Sequence, residues 1–265
     1  MSYTFGAGTG DDITTAAVLQ YGASGVNTFV AGWWYPTTLT ATRGYWSGGN
    51  TFGAEVDSTT SQIRFRTANA TTNGQWTTSG TTITTGKWWY MAFVNSNNNA
   101  GSAAAWRCWI GDADSAPVEQ TVTVATTPSG NFTGNTNAYV GNKGTGTVAF
   151  QGDIGWAVFI SANSSIASVL PINTAGAIAN DEASLIYDQL AYPCWRGITK
   201  PNYPYVACDV RYFDLRDPSV HRFSHGATVI TDMATAGVNG ATVSLSEPPT
   251  RPIFNWPNVY PLRRR

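Results

Sequence analysis

Charge is scarce in this sequence. Only 12% of its 265 residues are Asp, Glu, Lys or Arg, about half the usual quarter. Net charge is −1, so the chain as a whole offers no basic footprint for nucleic acid. The one local exception is the terminal run Arg263, Arg264, Arg265. Lysine is limited to Lys87, Lys143 and Lys200. Cysteine is limited to Cys108, Cys194 and Cys208, an odd number whose spacings fit no zinc or redox pattern. Their expected role is that of small buried hydrophobes. No apolar run reaches about 18 residues, which excludes a helical membrane span. Met1 to Gly10 carries neither a basic n-region nor an apolar h-region, so no signal peptide is expected. Folding in a reducing cytoplasm follows from that reading. The triplets that begin at Asn69, Asn131 and Asn163 then read as turn chemistry, not as glycan acceptors.

With charge low, polarity comes from Thr, Ser, Asn and Gly, which suit strands and turns and disfavour helices. From Asn27 to about Ile160 the pattern is short strands separated by turns. Phe29, Ala31, Trp33 and Tyr35 share one face of a strand, with Val30 and Trp34 opposite. Ile63 and Phe65 flank Arg64 in the same way. Trp88 to Val94 is apolar on both faces, as in a central strand. Trp106, Cys108 and Ile110 alternate with Arg107 and Trp109. Thr121 to Val124 and Ala138 to Gly141 alternate again, and Asp153 to Ile160 is a long apolar strand. Turn signals lie at Ser47 to Asn50, Asn73-Gly74, Ser79-Gly80, Asn95 to Gly101 and Gly141 to Gly144. Many short strands at this spacing predict an all-β sandwich or barrel.

One helix is predicted, capped by Asn180 and favoured by Asp181 and Glu182 at its positive end. Leu185, Ile186 and Leu190 form its apolar stripe, and Pro193 is expected to end it. Nine of the 13 prolines follow Tyr192. Tyr205 to Tyr212 can add a further strand. From Ser246 onward, Pro248, Pro249, Pro252, Pro257 and Pro261 favour an extended polyproline-like chain. That stretch carries Ile253, Phe254, Trp256, Val259 and Tyr260. An apolar, stiffened arm belongs on a surface, either its own or a neighbour's.

The order of these segments resembles a known family. Asn27-Thr-Phe-Val-Ala-Gly-Trp-Trp-Tyr-Pro36 resembles the early strand of concanavalin-A-like, laminin-G-like domains. Gly86-Lys-Trp-Trp-Tyr-Met-Ala-Phe-Val94 resembles the family's middle strand, and Trp106-Arg-Cys-Trp-Ile-Gly111 the one after it. Ala138-Tyr-Val-Gly141 and Gly152-Asp-Ile-Gly-Trp-Ala-Val-Phe159 resemble its last strands, and Asp181 to Leu190 its short helix. The resemblance implies an all-β, two-sheet antiparallel jelly-roll sandwich with one short helix and an extended C-terminal arm. Its expected parts are a jelly-roll domain over 1–192, a strand and loop extension over 193–245 packing on the sandwich, and a Pro-rich apolar arm over 246–265. The stretch from Tyr192 to Pro252 also resembles extensions on such domains in tailed-phage genomes, with a Pro-rich link at Ile198 to Tyr205, a strand and Asp-containing loop at Val206 to Asp217, and a Pro-Pro end at Glu247-Pro-Pro249.

This fold hosts glycosidases, lectins and adhesive modules alike, so activity must be read from residues. Retaining glycosidases need two carboxylates about 5–5.5 Å apart, and relatives with that activity carry them at alternate positions of one strand. Here Glu55, Glu119, Glu182 and Glu247 are isolated. Asp112 and Asp114 have the spacing, but they sit beside Gly111 and Pro117 and read as a solvated hairpin turn. His221 and His225, with Asp214 and Asp217, read as loop residues ahead of a metal site. Asp11, Asp12 and Asp153 are the candidates for calcium oxygens, with no clustered loop to support them. No phosphate-binding glycine loop or nucleophile elbow is present. The expectation is therefore no enzyme, no cofactor and no catalytic or metal site.

Low charge, an apolar arm and the family resemblance together point to a bacteriophage virion structural protein. It would be made in the host cytoplasm and act by protein–protein adhesion as capsid decoration, cement, or a head-fibre or tail component. The major capsid or other virion proteins are its expected partners, and a homo-oligomer, guessed as a trimer, its expected state. The candidate interface arm is Ile253, Phe254, Trp256, Tyr260, Arg263, Arg264 and Arg265. The alternative is a lectin-like module that binds a surface glycan for host adsorption, with Trp46, Trp76 and Trp109 as exposed aromatic contacts.

Overall fold

A computed structural model describes residues 2–6, 12–14, 26–41, 43–48, 52–96, 106–130, 138–141, 150–163, 178–197, 208–214, 222–225, 237–239 and 242–244. Its strands, in chain order, are β1 (Ser2–Phe5), β2 (Asp12–Thr14), β3 (Val26–Pro36), β4 (Arg43–Gly48), β5 (Phe52–Val56), β6 (Ile63–Thr67), β7 (Gly74–Ser79), β8 (Trp89–Ser96), β9 (Trp106–Asp112), β10 (Val118–Thr126), β11 (Ala138–Val140), β12 (Gly152–Asn163), β13 (Cys208–Asp214), β14 (Arg222–His225), β15 (Gly237–Asn239) and β16 (Thr242–Ser244). Every pairing among them is antiparallel. The ladder runs β14-β13-β12-β3-β8-β9-β10-β7-β6-β5-β4-β11-β2-β15, with β1 and β16 branching from β12. The expected all-β character and the short helix are both present.

The sheet curls back on itself, and β10 is where it turns. Val118 to Gln120 pair with β9, while Thr121 to Thr126 pair with β7. Gln120 marks the corner and is buried. Its Nε2 donates to the Val118 carbonyl at 2.8 Å, and its Oε1 accepts from the Thr81 amide at 2.7 Å. Gly80, at φ +122, leaves the space: a Cβ there would stand 2.8 Å from that Oε1.

Alternation delivers the inner faces of the two halves into one core. Val30, Trp34, Met91, Phe93, Trp106, Cys108, Ile110 and Ile154 come from β3, β8, β9 and β12. Tyr45, Ala54, Val56, Ile63, Phe65, Trp76 and Val140 come from β4 to β7 and β11. Phe65 stacks on Trp106 with ring centroids 4.5 Å apart and an interplanar angle of 15°. Trp76 and Phe93 close on the same indole at 5.8 and 6.4 Å.

β8 is buried along its whole length, as its unbroken apolar run predicts. Its outer side chains Tyr90, Ala92 and Val94 form a second cluster with Phe29, Ala31, Trp33 and Trp109. A helical segment covers that cluster with Ile178, Ala183, Ile186, Leu190, Ala191 and Cys194. The segment comprises α1 (Asn180–Ile186), a π-helical turn (Tyr187–Ala191) and α2 (Tyr192–Trp195). Two sequence expectations are corrected here. The N-cap is Ala179, not Asn180, and the Glu182 carboxylate accepts from its amide at 2.9 Å. Pro193 does not end the helix. It lies in the first turn of α2, where its missing N–H is harmless.

At the far edge β13 pairs with β12 and with β14, and β16 pairs with β1. No described helix is long and apolar enough to cross a membrane. Replacing Trp106 by Ala removes the indole on which both halves close. We expect a loss of about 3–5 kcal/mol, read as a lowered urea midpoint.

Candidate adhesion surface

The residues nominated from sequence scatter widely. Ile253, Phe254, Trp256, Tyr260, Arg263, Arg264 and Arg265 lie outside the described residues, as do Asp11, Asp217 and His221. Trp46 is described only through its backbone, which pairs with Val140 and Ala54. Trp76 and Trp109 are not exposed contacts: they are 1% and 2% accessible. Trp76 faces the main core between Gly74 and Thr78, and Trp109 lies beneath the helical segment beside Tyr187. The Asp112–Asp114 pair is a turn. Asp112 Oδ1 accepts from the amides of Asp114 and Ser115 at 3.0 and 2.8 Å, and its Oδ2 pairs with Lys87 at 2.8 Å.

Glu55 and Asp57 have a spacing that the sequence reading passed over: they stand two apart at the end of β5. Both are tied to arginines of β6. Glu55 Oε1 accepts from Arg64 Nε at 2.5 Å and from Arg66 Nε at 2.6 Å, and Asp57 Oδ2 pairs with Arg64 Nη1. Glu55 is almost fully buried by this clamp. Burial pushes the Asp57 carboxyl up. The amides of Thr59 and Thr60 and the Arg64 guanidinium more than offset that and hold it below its ordinary value. This charged rib continues across the strands through Thr77, opposite Arg64, to the Thr123 hydroxyl at 3.3 Å.

The structure assembles an aromatic row that sequence did not nominate. Tyr187, Tyr192 and Trp195 form a series of tilted rings with centroids 5.8 and 5.5 Å apart. Tyr192 is 37% accessible, and Leu185, on the same helical segment, is 38%. Tyr187 and Tyr192 are five residues apart, a spacing that an α-helix turns to different sides. The π turn brings them together, because the Tyr192 amide donates to the Tyr187 carbonyl. Tyr187 rests against Trp109 at 6.4 Å. Trp195 is fixed by its Nε1, which donates to the Asp112 carbonyl at 2.9 Å. The row is thus held at both ends by β9.

The helical segment that carries it is pinned twice more. Tyr90 Oη donates to the Ala191 carbonyl at 2.7 Å, and Arg107 Nη2 donates to the Ile178 carbonyl at 2.6 Å and to Asn180 Oδ1 at 3.1 Å. Asp181, Asp188 and Arg196 are exposed on the same helical segment. Burial raises the Tyr187 phenol above its ordinary value, with Tyr192 and Asp188 adding to the effect. Among the described residues no group of three His, Cys, Asp or Glu stands ready to hold a metal ion.

No protein-family model matches the sequence, and no curated protein matches it. Solved structures similar to the chain include the Ruminococcus gnavus IT-sialidase CBM40 bound to alpha2,3 sialyllactose, matched with a TM-score of 0.39 at 13% identity over 58% of this chain and 84% of that one.

Cys108 and Cys194 are buried free thiols. Burial pushes the Cys194 thiol up to about 12 and raises Cys108 as well. Neither should react with an aromatic disulfide reagent at pH 8 until the protein unfolds, and rapid labelling of either in the native state would contradict their placement.

Asp57 makes a pH-dependent contribution whose sign follows from its lowered value. Its stabilisation is present above the unfolded carboxyl range of about 3.9 and is lost as pH falls through the lower folded value. The stability gap between wild type and Asp57→Asn should be widest near neutral pH and close as pH falls through the lowered folded value, as followed by denaturant titration at each pH.

Proposed function

We propose that this chain is a non-enzymatic structural protein of a bacteriophage virion that works by protein–protein adhesion. In this reading it is capsid decoration or cement, or a head-fibre or tail component, and the curled sheet is a two-sheet concanavalin A/laminin-G-like jelly roll. The domain spans 1–192, the extension 193–245 and the arm 246–265.

The observation that supports adhesion most directly is the aromatic row. Tyr and Trp dominate protein interfaces because they bury large area with few rotatable bonds. Here the rings are already fixed by Trp109 and by the Asp112 carbonyl. Little side-chain entropy remains to be lost on docking. Covering the exposed parts of Tyr192 and Leu185 contributes roughly 1 kcal/mol each at about 25 cal/mol per Å². Such a contact is weak alone. Repetition over many symmetric copies makes it strong, which is how a cementing protein holds a particle.

The test uses Tyr192→Ala and Leu185→Ser, both at exposed positions, so the fold should survive and unfold near the wild-type temperature. Particle occupancy should then need roughly tenfold more protein, corresponding to about 1.4 kcal/mol. Unchanged occupancy removes the row from adhesion. A glycan-array signal that disappears in Tyr192→Ala replaces this reading with the carbohydrate-binding one.

A further inference from the structure

We propose that the Tyr187–Tyr192–Trp195 row receives the proline-rich arm, residues 246–265, of a second copy of this chain; the inference rests on the adhesion reading of the same row. The chemistry of the two surfaces matches. Pro248, Pro249, Pro252, Pro257 and Pro261 favour the polyproline form, which has no internal hydrogen bonds and leaves a segment little entropy to lose. Such segments dock on rows of exposed aromatic rings. The arm carries Arg251, Arg263, Arg264 and Arg265 against a single acid, Glu247. The helical segment that carries the row has exposed Asp181 and Asp188 against one exposed cation, Arg196, and Asp188 acts on the Tyr187 phenol. Of the other charges near the row, Asp112 is engaged with Lys87, and Glu182 caps Ala179. The attraction proposed is therefore between a basic, proline-rich segment and the net acidic helical segment that carries the row.

Placement of the arm's root favours a second copy as its source. The last described strand is β16, which pairs with β1, and twenty-one residues follow Ser244. Between β16 and β9 the order is β1, β12, β3 and β8, five inter-strand steps in all. At about 4.8 Å each, these separate root and row by roughly 24 Å. Direction matters more. Thr242 pairs with Thr4, and Ser244 with Ser2, so β16 runs in the same sense as β12. That sense leads from the level of Gly152 and Pro36 toward the level of Asn27 and Ser96. The row lies at the other end, where Trp195 meets Asp112, opposite Trp89 and Trp34. β16 thus ends pointing away from the row. A proline-stiffened segment resists the reversal needed to return. Passing the arm to a neighbour's row needs no reversal, and the same contact repeated head to tail closes into a ring.

The experiment uses full-length chains in sedimentation equilibrium at two salt concentrations. Wild type should associate reversibly, and more weakly at 0.5 M than at 0.05 M salt. Tyr192→Ala, which lacks the row but keeps the arm, should raise the association midpoint at least tenfold. The double change Trp256→Ala and Tyr260→Ala, which weakens the arm but keeps the row, should do the same. An equimolar mixture of the two variants should form heterodimers at concentrations where each alone is monomeric, because an intact arm again meets an intact row. Monomeric wild type at every concentration, or a mixture no better than its components, overturns the inference. Unaltered association in both variants overturns it equally. If association is unaltered while Tyr192→Ala still lowers particle occupancy, the adhesion reading stands and only the arm is excluded as its partner.

Discussion

The stacking of Phe65 on Trp106 governs this architecture. The two rings lie 4.5 Å apart and come from strands on opposite sides of the curl. Without the curl that this contact closes, β8 and β9 would show Met91, Phe93, Cys108 and Ile110 to water, and β5 and β6 would show Val56 and Ile63. The curl is what allows one antiparallel ladder to serve as both walls of its own core. Its corner at Gln120 is cut for the purpose: a buried amide side chain satisfies local backbone groups where the pairing passes from β9 to β7. A sheet that closes over aromatics in this way tolerates some unsatisfied polar atoms. The Nε1 atoms of Trp33 and Trp34 and the Oη of Tyr45 are buried with no partner among the described residues. Each costs about 1–3 kcal/mol, which the surrounding apolar area must exceed.

A second requirement follows from the first. Once β3, β8 and β9 have spent one face on the core, their other face is still apolar, with Phe29, Trp33, Tyr90, Val94 and Trp109. Something must cover it, and the residues from Ile178 to Cys194 do. The cover is fixed by hydrogen bonds from Tyr90, Arg107 and Trp195, each linking strand and helical segment. Those bonds set the angle at which the outward side of the helix meets solvent. The outward surface of the segment is therefore a consequence of how the second face of the sheet is sealed.

Sequence made much of this visible because period-two alternation is a local signal. The two faces of β3 read from Phe29 to Trp34, and the double-sided burial of β8, both appear in the structure as expected. What alternation cannot say is what lies over each face. Trp109 was assigned to a second, exposed face; the face was right, but it is roofed by residues some seventy positions later. Trp76 sits near turns among Gly74, Thr77 and Thr78, so its polar neighbours disguised an inward position. The Glu55–Arg64–Arg66 clamp joins β5 to β6 through strand register, and no spacing within either strand announces it. Pro193 was taken as a stop because a proline inside an α-helix breaks it, whereas here it opens a new helical turn.

The aromatic row was illegible for a related reason, and that reason bears on its significance. Tyr187, Tyr192 and Trp195 follow no α-helical period, so a search for a 3.6-residue stripe passes over them. They align only because the backbone widens by one residue between Tyr187 and Ala191. A π turn sacrifices the better geometry of the α-helix, and such turns are rare and frequently found at functional sites. Part of its role is structural, since Ala191 within it receives the Tyr90 hydroxyl. Anchoring Ala191 does not require three rings in series, however, nor a Tyr192 that remains more than a third exposed beside Tyr187. A helix whose only task was to seal β3, β8 and β9 would place polar residues at Tyr192 and Leu185. Both instead leave apolar area at the surface of a segment firmly fixed to the sheet, which is the area that the proposed adhesion would use.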